Sequence, residues 1–287
     1  MLAINKREKM KARAVKFASV AVLVILLLLF LYPIYIVIVN SFKFKRDIIV
    51  EPLALSGSKG TTVNNYLEAF ESMNFPKVFT NSFIITVSSV ILIILTSSTA
   101  AYLFVRKDWK LNKFIYLLMI ASMVIPFQVL MIPLVSIYGA QLNLLNSRLT
   151  LILMHTGFSV SMSVFMYRSY IRTSIPLSLE EAAKIDGATI YQTFWQIVFP
   201  LLKPITSTLA ILYAVSIWND FLLPSLVLTK KQLFTLPIAT QMFYGTYSSN
   251  LGLIMSSLVM VALPIVILYL FLQKQVINGV VAGAVKG

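Results

Sequence analysis

Six long apolar segments constrain the fold of this chain more than any other feature of its sequence. Each approaches or exceeds the roughly 20 residues that an α-helix needs to cross the hydrocarbon core of a bilayer. They lie at 17–39, 83–105, 114–137, 149–170, 204–227 and 253–272. Only 12% of the 287 residues are charged, about half the share that is typical of soluble domains. The sequence therefore predicts an all-α, polytopic membrane protein with six transmembrane helices.

Lysines and arginines predict how these helices are oriented. With the N-terminus inside, the inner segments carry twice as many basic residues as the outer ones, which is the bias expected of cytoplasmic loops. We therefore expect a multi-pass protein of the cell membrane with both termini in the cytoplasm. The predicted parts are a cytoplasmic segment 1–16, a first transmembrane helix 17–39, an external loop 40–82, a core domain 83–272 with five transmembrane helices and a cytoplasmic loop 171–203, and a cytoplasmic tail 273–287.

Composition excludes several kinds of site. The chain has no cysteine and a single histidine, His155, so disulfides, thiolate ligands and a multi-histidine metal site are excluded, and we predict no bound metal. The net charge of +14 does not predict nucleic-acid binding, because the basic residues cluster at the ends of the apolar segments. No G-x-x-x-x-G-K-[ST] motif occurs, so we expect this chain to bind no nucleotide cofactor itself.

One short polar segment, 178–188, lies between two of the apolar segments within the predicted cytoplasmic loop. Ser178 and Glu181 have the spacing of a capping box, which predicts that a helix begins near 178. Gly187 permits a sharp turn because it has no β-carbon to obstruct a positive φ. A second helix, with apolar residues at helical spacing, is expected to follow the turn.

The same segment has the composition of a contact surface. Ala182, Ala183 and Ala188 are small enough to let another protein approach the backbone closely. Glu180 and Asp186, together with the capping glutamate, can pair with basic groups on such a partner. We therefore predict a docking element for a cytoplasmic partner. The alternative is a capped helical hairpin that only connects two membrane helices.

Irregular or polar positions within the membrane indicate where a solute could pass. The third apolar segment contains Pro126 and Pro133 with Gln128 between them, which predicts a kink and a polar group at membrane depth. The alternative for this segment is an ordinary proline-bent membrane helix.

Asp220 is the only carboxylate within the six apolar segments, and a charge in a membrane is a functional candidate. At a rise of about 1.5 Å per residue, His155 and Asp220 are expected at similar depth in the outer half of the bilayer. Tyr213, Trp218 and Asn219 lie near Asp220 in sequence, and their rings and amide could contact the apolar and polar parts of a solute. The alternative is that Trp218 and Asp220 are anchors at the membrane interface.

Two other classes of membrane protein are less consistent with the sequence. A secondary transporter usually places several ionisable residues at mid-membrane, whereas only Asp220 qualifies here, and six helices are half the usual number. A membrane-embedded enzyme needs a convergent catalytic set. One histidine, one intramembrane carboxylate and no cysteine supply too little for that, so we predict no catalytic residues.

Several motifs in order resemble those of one transporter family. The run EAAKIDGA at 181–188, followed by Phe194, Ile197 and Pro200, closely resembles the EAA loop of permease subunits of ABC importers. Further matches to the carbohydrate importers related to the maltose permeases are Ala100-Ala101-Tyr102 before Arg106, Trp218-Asn219-Asp220-Phe221 with Pro224, and the tail Gln273, Gly279 and AGAVKG at 282–287. The resemblance covers most of the chain.

The resemblance implies a type I ABC importer permease fold and a role in importing a sugar, with an oligosaccharide favoured and a non-sugar solute as the alternative. It implies four kinds of partner: a second homologous permease in a heterodimer, a dimer of cytoplasmic ATPase subunits that bind ATP and Mg²⁺, an extracytoplasmic solute-binding protein, and the sugar itself. Glu181 is expected to contact a basic residue of the ATPase and Gly187 to form the turn of the EAA loop. The tail, with Gly283 and Lys286, is expected to make a second ATPase contact.

Overall fold

Helices make up most of this computed structural model, which describes residues 2–245 and 250–284. Within those residues no β-strand forms, as predicted for an all-α chain. Four helices are long and apolar enough to cross a membrane, namely Arg13–Ser41, Phe75–Arg106, Arg148–Ser174 and Leu251–Phe271. Two further pairs qualify only when both members are taken together. The described residues therefore contain four membrane-length helices, or up to six spans if each bent pair crosses once.

The α-helices of the described residues are numbered along the chain. They are α1 Leu2–Ser41, α2 Lys45–Val50, α3 Asn64–Ser72, α4 Phe75–Arg106, α5 Lys110–Ser122, α6 Phe127–Leu134, α7 Arg148–Ser174, α8 Leu177–Ile185, α9 Ile190–Gln192, α10 Phe199–Leu201, α11 Lys203–Trp218, α12 Leu222–Val227, α13 Leu236–Thr240 and α14 Leu251–Ala284. Wider turns of π-helix, Val135–Gln141 and Thr193–Val198, extend α6 and join α9 to α10.

The third apolar segment forms two helices that meet at 97°. Pro126 lies at the break in an extended conformation (φ −63°, ψ 135°). Its ring and its missing N–H oppose a continuous helix through this position. The predicted irregularity is confirmed, but it is a break at Pro126, while Pro133 is accommodated inside α6.

The fifth apolar segment ends earlier than predicted. Ile190–Leu201 and α11 meet at 72°, and α11 stops at Trp218 instead of continuing to 227. At the end of α11 the carbonyl of Val215 accepts both from the side chain of Asn219 at 2.8 Å and from its backbone N–H at 3.2 Å. Asp220 therefore lies in the connection between α11 and α12, and its predicted position inside a transmembrane helix is wrong.

The chain divides into two units, Met1–Ser72 with Met242–Met260, and Met73–Gln241 with Val261–Gly287. In the first unit, the segment after α1 is ordered around a buried lysine. The ammonium of Lys43 donates to the side chain of Asn40 at 3.2 Å and to the carbonyl of Glu51 at 2.8 Å. The carboxylate of Asp47 accepts from the hydroxyl of Ser58 at 2.8 Å. These bonds satisfy polar groups that would be costly to bury unpaired.

In the second unit, α4 and α7 pack against each other and α11 packs on α4. Fully buried serines on α4, among them Ser89 and Ser97, let the helix backbones approach closely. The side chain of Asn81 on α4 donates to the carbonyls of Gln232 and Phe234 at 3.0 and 2.9 Å, which fixes the segment between α12 and α13. The unit therefore has a close-packed helical core in which Asn81 is paired to backbone, whereas the buried hydroxyls of Ser89 and Ser97 have no hydrogen-bond partner within the described residues.

Candidate functional site

The polar segment forms a short helix, a turn and a second helix, which together we call the polar hairpin (residues 177–201). The first helix, α8, begins directly after Pro176, whose φ of −63° and ψ of 139° suit the position before a helix. Ser178 therefore already lies inside α8, and the capping box predicted for Ser178 and Glu181 is wrong. A capping box forms instead at the second helix, where Thr189 and Gln192 bond reciprocally.

The turn of the polar hairpin lies at Gly187, which has a φ of +84°. A positive φ of this size suits glycine because it has no Cβ. The predicted role of Gly187 in the turn is therefore confirmed. Ile185, two residues before the turn, is 87% exposed. The tip of the polar hairpin thus presents an uncovered apolar side chain on a tightly turned backbone.

The residues predicted to dock a partner differ in exposure. Glu181, Ala182, Asp186 and Gly187 are exposed, and Ala188 is half-buried. Glu180 and Ala183 are buried, on the side of α8 that faces the rest of the chain. The prediction that Ala182 and Ala183 both face a partner is therefore wrong for Ala183, because that residue is buried against the rest of the chain. The open face of α8 carries Glu181 and Ala182.

Glu180 is held inside the chain by the end of α4. Its Oε1 accepts from Arg106 Nε at 2.8 Å and lies 2.7 Å from Arg106 Nη2 as an ion pair, and its Oε2 accepts from the hydroxyl of Tyr102 at 2.8 Å. Arg106 also donates to the carbonyl of Ile175 at 3.1 Å. The side chains of Arg106 and Glu180 are only 15% and 9% exposed. Both contacts of the guanidinium reach Oε1 while the hydroxyl of Tyr102 holds Oε2, so both oxygens of the carboxylate are fixed.

This pairing links two segments that lie 74 residues apart in sequence. The ring of Tyr102 also contacts the ring of Phe194 in the second helix of the polar hairpin, with centroids 5.1 Å apart. Both helices of the hairpin are therefore attached to the end of α4. Hydrogen bonds and a ring contact thus connect α8 and the second helix of the hairpin directly to α4.

The polar hairpin also borders a cavity of about 370 Å³, lined in part by Arg106, Lys107, Lys184, Glu181 and Thr193. The sequence did not indicate that Tyr102 and Arg106 belong to this site. One signal could have indicated this contact. Arg106 is a basic residue at the end of one predicted helix, and Glu180 is an acidic residue in the next loop on the same predicted side of the membrane.

The intramembrane candidates His155 and Asp220 lie next to each other. His155 Nε2 is 4.0 Å from Asp220 Oδ2, which is too far for a hydrogen bond. The two residues were predicted at similar depth, and they also lie side by side. Asp220 Oδ1 accepts from the backbone N–H of Leu222 at 2.9 Å, which holds the carboxylate at the start of α12. Within the described residues, the buried Nε2 of His155 has no hydrogen-bond partner.

Both side chains border a cavity of about 420 Å³ beside the Pro126 break. Three serines from three helices, Ser122, Ser159 and Ser216, add hydroxyls to its lining, and Phe127 and Phe158 contribute apolar surface. The two rings are 5.3 Å apart and nearly perpendicular. A cavity with several hydroxyls, one carboxylate and aromatic surface can bind a polyhydroxylated solute.

The other predicted path residues do not line this cavity. Trp218 is buried, donates from Nε1 to the carbonyl of Val261 at 3.0 Å and packs against Phe79. The hydroxyl of Tyr213 is bonded to Ser163 and to the carbonyl of Ser159. Both residues thus stabilise helix packing.

Asn219 and Gln128 are exposed and lie outside the set of residues that line the cavity. Of the predicted tail contacts, Lys286 lies outside the described residues. Gly283 is described only as part of the backbone of α14.

Comparison with known proteins adds family and fold to this geometry. The family model described as "Binding-protein-dependent transport system inner membrane component" matches residues 93–281. The chain is 41% identical over 254 residues to the "Probable starch degradation products transport system permease protein AmyC" of Thermoanaerobacterium thermosulfurigenes, covering 88% of this chain and 91% of the relative. It is 38% identical over 258 residues to the "Melibiose/raffinose/stachyose import permease protein MelC" of Bacillus subtilis, covering 89% and 91%.

A solved structure supports the fold alone. It is a chain of a bacterial ABC transporter involved in the import of the acidic polysaccharide alginate, with a TM-score of 0.77 and 22% sequence identity. The match covers 91% of this chain and 96% of the solved one. The resemblance inferred from the EAA run and the motifs around it is therefore confirmed. The chain belongs to the binding-protein-dependent transport system inner membrane components, the permeases of ABC importers.

Proposed function

We propose that this chain is a permease subunit of an ATP-driven importer that moves a sugar, and more specifically an oligosaccharide, across the cell membrane. Relatives that are 41%, 38% and 36% identical carry names that refer to starch degradation products, to melibiose, raffinose and stachyose, and to multiple sugars. Those names describe transport permeases, which supports a role in transport and not in catalysis. A non-sugar solute is the alternative cargo.

The observation that carries the coupling role is the arrangement of Glu180 and Glu181 on α8. Glu180 is buried against Arg106, while Glu181 is exposed beside it. One carboxylate thus attaches the helix to the membrane bundle and the next is free to pair with a basic group on another protein. We infer that Glu181, Ala182, Asp186, Gly187 and Ala188 contact a cytoplasmic ATPase subunit, and that movement of that subunit displaces α8 and α4 together.

The proposed assembly contains four further polypeptides, namely two ATPase subunits, a second permease and a solute-binding protein. ATP and Mg²⁺ are expected on a dimer of ATPase subunits, since the sequence has no nucleotide motif of its own. A second homologous permease would complete the path, and an extracytoplasmic solute-binding protein would deliver the sugar. We expect both termini to lie in the cytoplasm, where the tail with Gly283 and Lys286 would make a second contact with the ATPase.

Charge reversal at Glu181 tests the coupling role. We expect Glu181→Lys to abolish uptake of radiolabelled oligosaccharide and to reduce co-purification of the ATPase, because the exposed carboxylate would become a cation facing a basic partner group. Asp108→Lys is the matched control, because Asp108 is exposed on the same predicted side of the membrane. The side chains of Asp108 and of its ion-pair partner Lys113 are 83% and 67% exposed. Full uptake by Glu181→Lys would contradict the docking role. Absence of oligosaccharide uptake by the unaltered importer would contradict the proposal that its cargo is an oligosaccharide.

A second experiment tests the cavity beside Pro126 as part of the sugar path. We expect Asp220→Asn to alter the apparent affinity for sugar by several-fold, because a carboxylate is a stronger hydrogen-bond acceptor for sugar hydroxyls than an amide. Asn219→Ala is the comparison, since Asn219 adjoins Asp220 but does not line the cavity. Normal affinity in Asp220→Asn, with normal assembly of the importer, would contradict a role of this cavity in transport.

A further inference from the structure

A cavity between α5 and α7 has the polar groups of a phosphate site. Its volume is about 370 Å³, and its lining includes Arg168, Ser169, Arg172 and Thr173 of α7 and Tyr116 of α5. The two arginines are four residues apart, and so are the two hydroxyl residues. The two members of each pair therefore lie on the same side of the helix, about one turn from each other. Among the described residues that line the cavity, none carries a carboxylate.

The guanidinium of Arg168 is oriented but not satisfied. Its Cζ lies 4.1 Å from the ring centroid of Tyr116, a cation–π contact that fixes the plane of the group. Its Nε is buried and has no hydrogen-bond partner within the described residues. In that part of the chain neither Arg168 nor Arg172 forms an ion pair. A stacked guanidinium still directs its N–H groups outward in its own plane, where they can donate to two oxygens of one phosphate.

The position of the cavity along α7 indicates the source of that phosphate. From Arg148 at the start of α7 to Arg168 the helix rises about 30 Å, which is the thickness of the hydrocarbon core. The cavity therefore lies one bilayer thickness from the other end of the helix, at the level of lipid headgroups. Under the predicted orientation this is the cytoplasmic leaflet, where anionic lipids attract basic side chains.

We propose that Arg168 and Arg172, with Ser169 and Thr173, bind the phosphate of an anionic phospholipid such as phosphatidylglycerol. Phosphodiester headgroups and free inorganic phosphate share the chemistry that these donors recognise. The cavity opens at headgroup depth, which favours the lipid. This inference depends on α7 spanning the membrane and not on the proposed cargo or on the ATPase contact.

The test measures lipid binding to the purified full-length chain in detergent by native mass spectrometry, with phosphatidylglycerol titrated against a phosphatidylcholine background. We expect Arg168→Gln and Arg172→Gln each to weaken phosphatidylglycerol binding about tenfold, the loss expected when a charge-assisted hydrogen bond is removed. We expect phosphatidylglycerol binding by Arg168→Lys to lie between that of the unaltered chain and that of Arg168→Gln. Lysine keeps the charge but lacks the planar fork of donors.

Lys110→Gln is the matched control, since Lys110 is exposed, lies on α5 and does not line the cavity. Equal phosphatidylglycerol binding by the unaltered chain, Arg168→Gln and Lys110→Gln would overturn the proposal. A parallel arm adds inorganic phosphate at millimolar concentration and records the melting temperature. Stabilisation by inorganic phosphate that depends on Arg168, without preference for phosphatidylglycerol, would assign the site to a soluble anion and overturn the lipid assignment.

Discussion

The carboxylate of Glu180 accepts hydrogen bonds from Arg106 Nε and from the hydroxyl of Tyr102, and it forms an ion pair with Arg106 Nη2, while remaining almost fully buried. An ion pair in this position does not stabilise a fold by its charge alone, because desolvation offsets much of the attraction. Removing one partner is different, since it leaves the other charge buried and uncompensated. The pair therefore fixes the position of α8 more than it adds stability.

Neutralising Glu180 tests this arrangement. We expect Glu180→Gln to lower the free energy of unfolding by about 2 kcal/mol, because Arg106 loses a charged acceptor. The measurement is an SDS-unfolding titration of the purified chain. Asp108→Asn removes an ion pair of the same type at an exposed position, and we expect it to cost about 0.5 kcal/mol or less. Equal losses in the two variants would contradict a positioning role for Glu180.

The sequence indicated which residues of the polar segment carry charge, but not which of them is exposed. Exposure of Glu181 and burial of Glu180 follow from the start of α8 at Leu177, which Pro176 determines. A shift of one residue rotates the helix by about 100° and exchanges the buried and exposed positions. The partner of Glu180 was beyond sequence reasoning, since Arg106 is 74 residues away.

At the scale of elements, hydropathy predicted where membrane helices occur but not where they break. The 97° break in the third apolar segment coincides with a proline, a residue whose effect on a helix is known in advance. The end of α11 at Trp218 has no such signal, because Asn219 and Asp220 are compatible with either a helix or its end. Helical rise alone predicted similar depth for His155 and Asp220, which lie 4.0 Å apart, whereas Trp218 was assigned to the path and instead packs in the core.

The turn of the polar hairpin supplies the prediction for this scale. We expect Gly187→Val to reduce uptake and co-purification of the ATPase severalfold, because a β-branched residue at a φ of +84° costs more than about 1 kcal/mol and displaces the tip. Gly157→Val is the control. Gly157 lies within α7 with no atom within 4 Å of where its Cβ would be, so uptake is expected to stay near normal. If both variants transport normally, the turn at Gly187 is not required for coupling.

For the whole molecule, orientation in the membrane can be tested directly because the chain contains no cysteine. Leu55→Cys and Ile185→Cys place single thiols at residues that are 77% and 87% exposed. We expect a membrane-impermeant maleimide to label position 55 in intact cells and position 185 only after permeabilisation. The unaltered chain, which offers no thiol to the maleimide, is the negative control. Labelling of position 185 in intact cells would contradict cytoplasmic docking of the polar hairpin.

The bond between Glu180 and Arg106 also bears on how permeases of this kind can be recombined. A different hairpin grafted onto this chain would have to present a carboxylate to Arg106 and Tyr102 at the end of α4, or leave the guanidinium buried without its acceptor. A graft that keeps the fit would therefore include positions 102 and 106, although they lie outside the segment proposed to contact the ATPase. The polar hairpin and the end of α4 together form one structural unit.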